Sequence, residues 1–369
     1  MRTQSTRTPE LLAPAGGLAQ LEAALRFGAD AVYLAADRFG LRQRAANFAL
    51  DDVPAAAALV HDAGAKAYVT LNALMDADDL KALPAYLEAL AAAGVDAFIV
   101  SDLGALRLAQ RYAPNVELHV STQASVCNAE AARVWHELGA SRVVCAREMS
   151  VEDIARLRAG APRELELEAF VHGAMCMAVS GRCLISAALT GRSGNKGHCT
   201  QPCRWSYALV EEQRPGEFFP VEEDVRGTYV MNAQDLNMLA HLDDLAAAGI
   251  DSFKIEGRNK KAFYVASVVR AYRLALDGVP SSELADELLA VSHRPYGTGF
   301  YYGDARQSPD VDGYTAECRH AATVEACEPA GEGAFRVIAR CYNRFCEGDE
   351  LEALSPGPHI PLVRVRNLA

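Results

Sequence analysis

Nothing in this chain of 369 residues marks it for a membrane or for export. It has no uninterrupted apolar run of the roughly 18 residues that a membrane helix needs. Its start, M-R-T-Q-S-T-R-T-P-E, lacks the apolar centre of a signal peptide. A cytoplasmic protein is therefore expected. Low-complexity segments and long like-charge runs are absent as well, which removes disorder as a default. Two hydrolase signatures are missing: no H-E-x-x-H for a zinc protease and no G-x-S-x-G for a serine hydrolase. The net charge of −12 excludes a protein that coats nucleic acid without selectivity, but it leaves room for one local basic site. The most telling absence is local. From Ala169 to Val210 there is no Asp or Glu, while Arg182, Arg192, Lys196 and Arg204 are present.

That acid-free stretch holds four of the ten cysteines: Cys176, Cys183, Cys199 and Cys203, spaced C-x6-C-x15-C-x3-C. In a reducing compartment such a group reads as metal or redox chemistry rather than disulfides. Four thiolates complete the ligand set of an iron–sulfur cluster or of a tetrahedral zinc. Zinc knuckles use C-x2–4-C pairs, which Cys199 and Cys203 satisfy and Cys176 and Cys183 do not. The spacing thus favours a cluster and keeps zinc open. Four unrelated buried thiols fit poorly, because the residues between them are mostly Gly, Ser, Asn or basic. Cys145, in R-V-V-C-A-R-E, reads as a small hydrophobe in a strand.

Along the chain, short apolar runs alternate with Ala-rich helical stretches. Strands are expected at 10–14, 31–35, 66–71, 97–101, 117–121, 142–146, 164–171 and 252–255. Helices between them run into Gly28, Gly94, Gly139 and Gly249, each read as a helix C-cap. Eight such units predict an α/β fold, a (β/α)8 TIM-type barrel, with a doubly wound open sheet as the alternative. The expected barrel spans 1–308. Its seventh βα connection runs from about 172 to 232, far longer than the usual roughly 2–6 residues, and it carries the cysteines. Residues 309–369 read as a small β domain, and the ending V-R-V-R-N-L-A suggests that it is incomplete.

A barrel places its chemistry past the C-terminal ends of its strands. Polar residues gather there: Asn72, Ser101-Asp102, Ser121-Thr122-Gln123, Arg147-Glu148, His172 and Glu256-Gly257-Arg258. His172, Glu168 and Glu256 are the expected proton-handling groups. Alternation in E-L-E-L-E-A-F turns Glu166, Glu168 and Phe170 to one face, so a buried Glu168 needs a partner such as Lys254 or Arg258. Asn72, Gln123, Arg182, Arg192, Lys196, Arg204, Lys254 and Arg258 are the expected substrate-binding residues, the cations for phosphates and carboxylates. Gly16-Gly17 opens a helix after the first strand but lacks the rest of a dinucleotide fingerprint.

The stretch E-A-F-V-H-G-A-M-C-M-A-V-S-G-R-C-L-I-S at 168–186 resembles the signature of the collagenase-like peptidase family of unclassified mechanism. L-L-A-P-A-G at 11–16, G-A-D-A-V-Y-L at 28–34, H-V-S-T-Q at 119–123, N-K-G-H-C-T-Q-P-C-R at 195–204, N-A-Q-D-L at 232–236 and F-K-I-E-G-R at 253–258 extend the resemblance over most of the chain. It implies a barrel with a 4Fe-4S cluster on Cys176, Cys183, Cys199 and Cys203. The family includes oxygen-independent RNA hydroxylases, and G-R-C-L-I-S with C-T-Q-P-C-R-W resembles its tRNA uridine 5-hydroxylase branch. What that branch implies is 5-hydroxyuridine at the tRNA wobble position, with prephenate as hydroxyl donor. The alternatives are a ribosomal-RNA cytidine hydroxylase, a collagenase-like endopeptidase, and a zinc-stabilised RNA-binding scaffold. Whether a partner subunit or an electron donor is needed, and the oligomeric state, are left open.

Overall fold

The computed structural model describes residues 8–42, 45–176, 178–205, 208–209, 219–220, 233–305, 314–331 and 333–368. Eight strands form the barrel: β1 (Glu10–Ala15), β2 (Ala31–Leu34), β3 (Lys66–Leu71), β4 (Ala97–Val100), β5 (Glu117–Val120), β6 (Arg142–Val144), β7 (Glu166–Ala174) and β8 (Ser252–Ile255). Each pairs in parallel with the next, and β8 closes the ring by pairing with both β7 and β1. The eight-stranded barrel expected from the alternating pattern is the fold, and the open sheet is not.

Six helices follow the first six strands: α1 (Leu18–Arg26), α2 (Val53–Asp62), α3 (Ala77–Ala92), α4 (Leu103–Tyr112), α5 (Ala129–Glu137) and α6 (Val151–Gly160). Side-chain caps start several of them. The Asp102 carboxylate accepts from the Ala105 amide at 2.9 Å, so this strand-end acid caps a helix. Asp76 and Ser150 head full capping boxes. Gly28, Gly94, Gly139 and Gly249 end helices with positive φ, as their positions predict. The main apolar core lies between strands and helices, built from residues such as Leu11, Val32, Val69, Phe98, Leu87 and Phe253. Each fully buried Leu or Phe there contributes about 1.5–3 kcal/mol. A smaller cluster of Leu12, Ala31, Tyr33, Tyr68, Ala97 and Ile99 forms a second core.

The end of β7 departs from the simple pattern. The strand does not stop at Val171 but continues to Ala174, because a short strand, Asp235–Asn237, pairs antiparallel with His172–Ala174. A bulge also interrupts its pairing with β8: Lys254 faces Phe170, while Ile255 faces His172. A bulge adds a residue to one strand and reverses the side-chain alternation beyond it. Gly173 allows the distortion, since a Cβ there would lie 2.3 Å from the Glu256 carbonyl oxygen. The cysteine-bearing segment that follows holds one short helix, α7 (Ile185–Thr190), and several tight turns. Much of the expected insertion between 206 and 232 lies outside the described residues.

Helices α8 (Leu242–Ala247), α9 (Ala262–Leu276) and α10 (Ser281–Leu289) complete the barrel's outer layer. The C-terminal region forms two antiparallel pairs, Ala322–Gly331 with Ala334–Cys341 and Glu350–Glu352 with Leu362–Arg364. Buried Arg270 on α9 ties this region down by donating to the carbonyls of Ser355 at 2.7 Å and Gly357 at 2.6 Å. His320 adds a second tie, stacked between Phe263 and Tyr342. Among the described residues no helix is long and apolar enough to cross a membrane.

Candidate functional site

One cavity at the C-terminal mouth of the barrel brings the distant motifs together. Its walls include Cys176, Cys183, Cys199 and Cys203 from the long segment after β7. They also include Tyr33, Asn72, Gln123, Phe170, Lys254, Glu256 and Arg258 from the strands and their ends. Arg42 and Arg147 add two more cations to the lining.

Glu256 is the acid of the cavity's barrel side. Arg42 lies 3.4 Å from one of its oxygens and Arg147 lies 3.8 Å from the other. Burial opposes its ionisation, but Arg42, Arg147 and Arg258 outweigh it and hold the carboxyl below the usual range. Arg258 is seated by the Thr70 hydroxyl at 3.1 Å and the Leu41 carbonyl at 2.6 Å. Gly16 makes this seat possible, since a Cβ there would stand 1.9 Å from the Arg258 carbonyl oxygen. That close approach accounts for the glycine after the first strand without invoking a phosphate. Nε of Arg258 and Oε1 of Gln123 are both buried and without a hydrogen-bond partner. Both belong to residues of the cavity wall, so the fold leaves a donor and an acceptor unpaired beside the cavity. Asn72 donates to the Ser121 hydroxyl at 3.2 Å and Ser121 anchors the turn that carries Gln123.

The cysteine side is organised by the backbone. The Ile185 amide donates to Sγ of Cys183 at 3.4 Å, and the Gln201 amide donates to Sγ of Cys199 at 3.3 Å. Such N–H···S bonds stabilise thiolates and tune a metal centre held by them. The Cys183 amide donates to Oδ1 of Asn195, whose carbonyl accepts from Leu74 on the β3–α3 connection. The Ser186 hydroxyl joins the Arg192 carbonyl at 2.7 Å and accepts from the Thr200 amide at 3.0 Å, tying α7 to the Cys199 turn. Among the described residues no three His, Cys, Asp or Glu side chains draw in around one point, as a single ion requires. Four soft donors around one cavity match the ligand set of an iron–sulfur cluster or of a tetrahedral zinc.

Several expected residues stand elsewhere. His172 is buried on the far side of the bulge, with its ring within 6 Å of those of Tyr264, Tyr272 and Tyr296. Its Nε2 has no partner, and burial pushes its imidazole down to about 3. It does not line the cavity; the bulge has turned it outward. Glu168 lies beneath the cavity floor, with Lys254 at 2.7 Å and Arg142 at 3.1 Å. Lys254 is the partner that alternation called for; Arg142, rather than Arg258, is the second. Arg182 and Arg192 are exposed on the cysteine segment. Lys196 pairs with Asp76 at 2.5 Å and Asp79 at 3.7 Å, which fastens the segment to the N-terminus of α3. Arg204 falls in the 202–204 turn, and its side chain lies outside the described residues. Cys145 is buried and its thiol is pushed up to about 12 by burial, in keeping with a packing role.

Sequence reasoning missed Arg42 as a site residue. It arrives from a loop after β2 in which Phe39, Arg42 and Asn47 all take positive φ, and no motif marks it. Arg147 and Glu148 were legible as polar residues after a strand, without a role.

The match to known proteins follows this geometry. The model of peptidase family U32 covers residues 16–310. The chain belongs to that family. It is 37% identical to tRNA hydroxylation protein P1 of Bacillus subtilis over 95% of this chain and 84% of that protein. It is 34% identical to tRNA hydroxylation protein P of Escherichia coli, over 95% of this chain and 87% of that one. The 23S rRNA 5-hydroxycytidine C2501 synthase of Escherichia coli is 38% identical over 75% of this chain and 40% of its own length.

Proposed function

We propose that this U32 family member is an oxygen-independent RNA hydroxylase that forms 5-hydroxyuridine at the tRNA wobble position, with a 4Fe-4S cluster on Cys176, Cys183, Cys199 and Cys203 and prephenate as hydroxyl donor. The observation that carries the reading is the single cavity in which all four cysteines face the strand-end polar residues. The similarity to tRNA hydroxylation proteins over 95% of the chain supports the substrate class. When bound, such a cluster, with each iron held by one of the four thiolates, would supply one-electron chemistry.

The chain's own residues supply the rest. Arg42, Arg147 and Arg258 suit the carboxylates of a small donor molecule. Glu256, ionised among them, accepts a proton within the cavity. Asn72, Gln123 and Ser121 offer amide and hydroxyl groups to a polar edge. Arg182 and Arg192 lie exposed on the same segment, positioned to meet phosphates.

Nucleoside analysis of tRNA from a strain lacking this protein tests the reading. Loss of 5-hydroxyuridine-type modification is expected, restored by the wild type and not by Cys199→Ser. Protein purified without oxygen should hold iron and sulfide at about four each per chain. An unchanged tRNA alongside missing hydroxycytidine in ribosomal RNA would move the substrate to the ribosome. Colourless protein with one tightly held zinc would end the redox mechanism. Gelatin cleavage abolished by Cys176→Ala would restore the peptidase reading.

A further inference from the structure

We propose that Glu148 is the positioning residue of the cysteine site: its carboxylate clamps the turn between Cys176 and Cys183 and so sets where those two thiols stand. The inference rests on the cluster reading above. Glu148 lies just past β6, in the connection to α6. One carboxylate oxygen accepts from the Ser180 amide and the other accepts from the Ser180 hydroxyl at 2.9 Å. Ser180 is 1% exposed. It holds φ 45° and ψ 33°, a left-handed conformation that a residue with a Cβ adopts at a cost. The turn sits against the barrel mouth, and Ser180 and Gly181 line the cavity with Thr122 and Gln123.

The sequence explains why the carboxylate comes from outside. Residues 169–210 contain no acid, so no charged acceptor for the Ser180 amide can be supplied within that stretch. A carboxylate from the barrel provides two charge-assisted hydrogen bonds to a single residue. These offset the strained backbone and fix the chain midway between two ligands. Partners that orient metal ligands in this way typically change metal retention by roughly 10–100-fold when removed.

The test uses the full chain, purified without oxygen, as wild type, Glu148→Ala, and Glu148→Ala with Ser180→Gly. Iron and sulfide per chain, the number of alkylatable thiols and the cluster's reduction potential are measured. Hydrogen exchange at the Ser180 amide is followed on metal-free protein. Glu148→Ala should lose roughly 10-fold or more of its cluster retention, expose four additional thiols, and lose protection at Ser180, while the barrel's thermal melt barely moves. Adding Ser180→Gly should restore retention, because glycine takes this φ without a Cβ. Full retention and a wild-type potential in Glu148→Ala would overturn the proposal. So would a loss that Ser180→Gly fails to repair, since Glu148 would then act by its charge. Wild type without iron and sulfide would overturn the cluster reading itself, and this proposal with it.

Discussion

The two halves of the barrel interior use the same residue types to opposite ends. In the lower half, Arg142 is closed in by Glu10 at 2.6 Å, Glu166 at 2.6 Å and Glu168 at 3.1 Å, and Lys254 takes the remaining oxygen of Glu168. Tyr68 and Ser252 add hydrogen bonds to Glu10. In the upper half, Arg42 and Arg147 share the Glu256 carboxylate, Arg258 stands on Thr70 and Leu41, and Nε of Arg258 and Oε1 of Gln123 have no hydrogen-bond partner. Buried charges that satisfy one another specify structure, whereas those left partly unsatisfied await a ligand. Lys254 belongs to both halves, since it pairs downward with Glu168 and lines the cavity above. Glu168, held by Arg142 and Lys254, is part of the frame under the site.

Breaking the lower half should have the largest effect. Glu168→Ala leaves Lys254 and Arg142 short of a counter-charge and should cost about 3–5 kcal/mol in urea unfolding. Burial opposes ionisation of Glu168, but Lys254 and Arg142 outweigh it and hold its carboxyl below its ordinary 4.5. Its contribution is therefore present above pH 4.5 and lost as pH falls further. Combining Glu168→Leu with Lys254→Met should recover part of the stability. A Glu168→Ala protein as stable as wild type would remove the distinction between the halves.

The upper half should respond in activity instead. Gln123→Ala should reduce hydroxylation roughly tenfold or more, the worth of one hydrogen bond to a ligand. Its unfolding free energy should stay within about 1 kcal/mol of wild type. Equal losses of stability and activity would place Gln123 in the frame.

His172 sharpens the comparison by belonging to neither half. Burial holds its imidazole at about 3, below an ordinary 6.5. The unfolded chain then binds a proton that the folded chain refuses, so stability should fall as pH drops below 6.5. The slope is at most roughly 1.4 kcal/mol per pH unit from this group. His172→Phe should flatten that part of the profile in melts between about pH 6.5 and 4.5 and leave tRNA binding unchanged. A bell-shaped activity profile that loses one limb in this variant would return His172 to the chemistry.

The smallest effect is expected at the rim. Arg192→Glu should weaken tRNA binding several-fold and flatten the slope of log affinity against log salt by about one for each phosphate no longer engaged. Lys196→Glu should do more, because it also repels Asp76 and loosens the segment.

Much of this was written in the order of residues. The alternation of apolar strand runs with Ala-rich helices, several of them closed by a glycine, points to a parallel α/β fold, a barrel or an open sheet, because those periods ask for strands covered by helices; pairing of β8 with both β7 and β1 closes the barrel. The cysteine spacing and the absence of acid around it likewise announce a site. Three things were left to the tertiary structure. The bulge after Phe170 turned His172 away from the cavity, since pairing with Asp235–Asn237 and Ile255, distant in sequence, decides where alternation breaks. Arg42 reached Glu256 across 214 residues of chain from a loop without a motif. Glu148 and Ser180 met across a gap of 32 residues. Local periodicity determines which face of a strand is apolar. Closure of the ring determines which polar groups come within a hydrogen bond of one another, and that is a property of the folded chain alone.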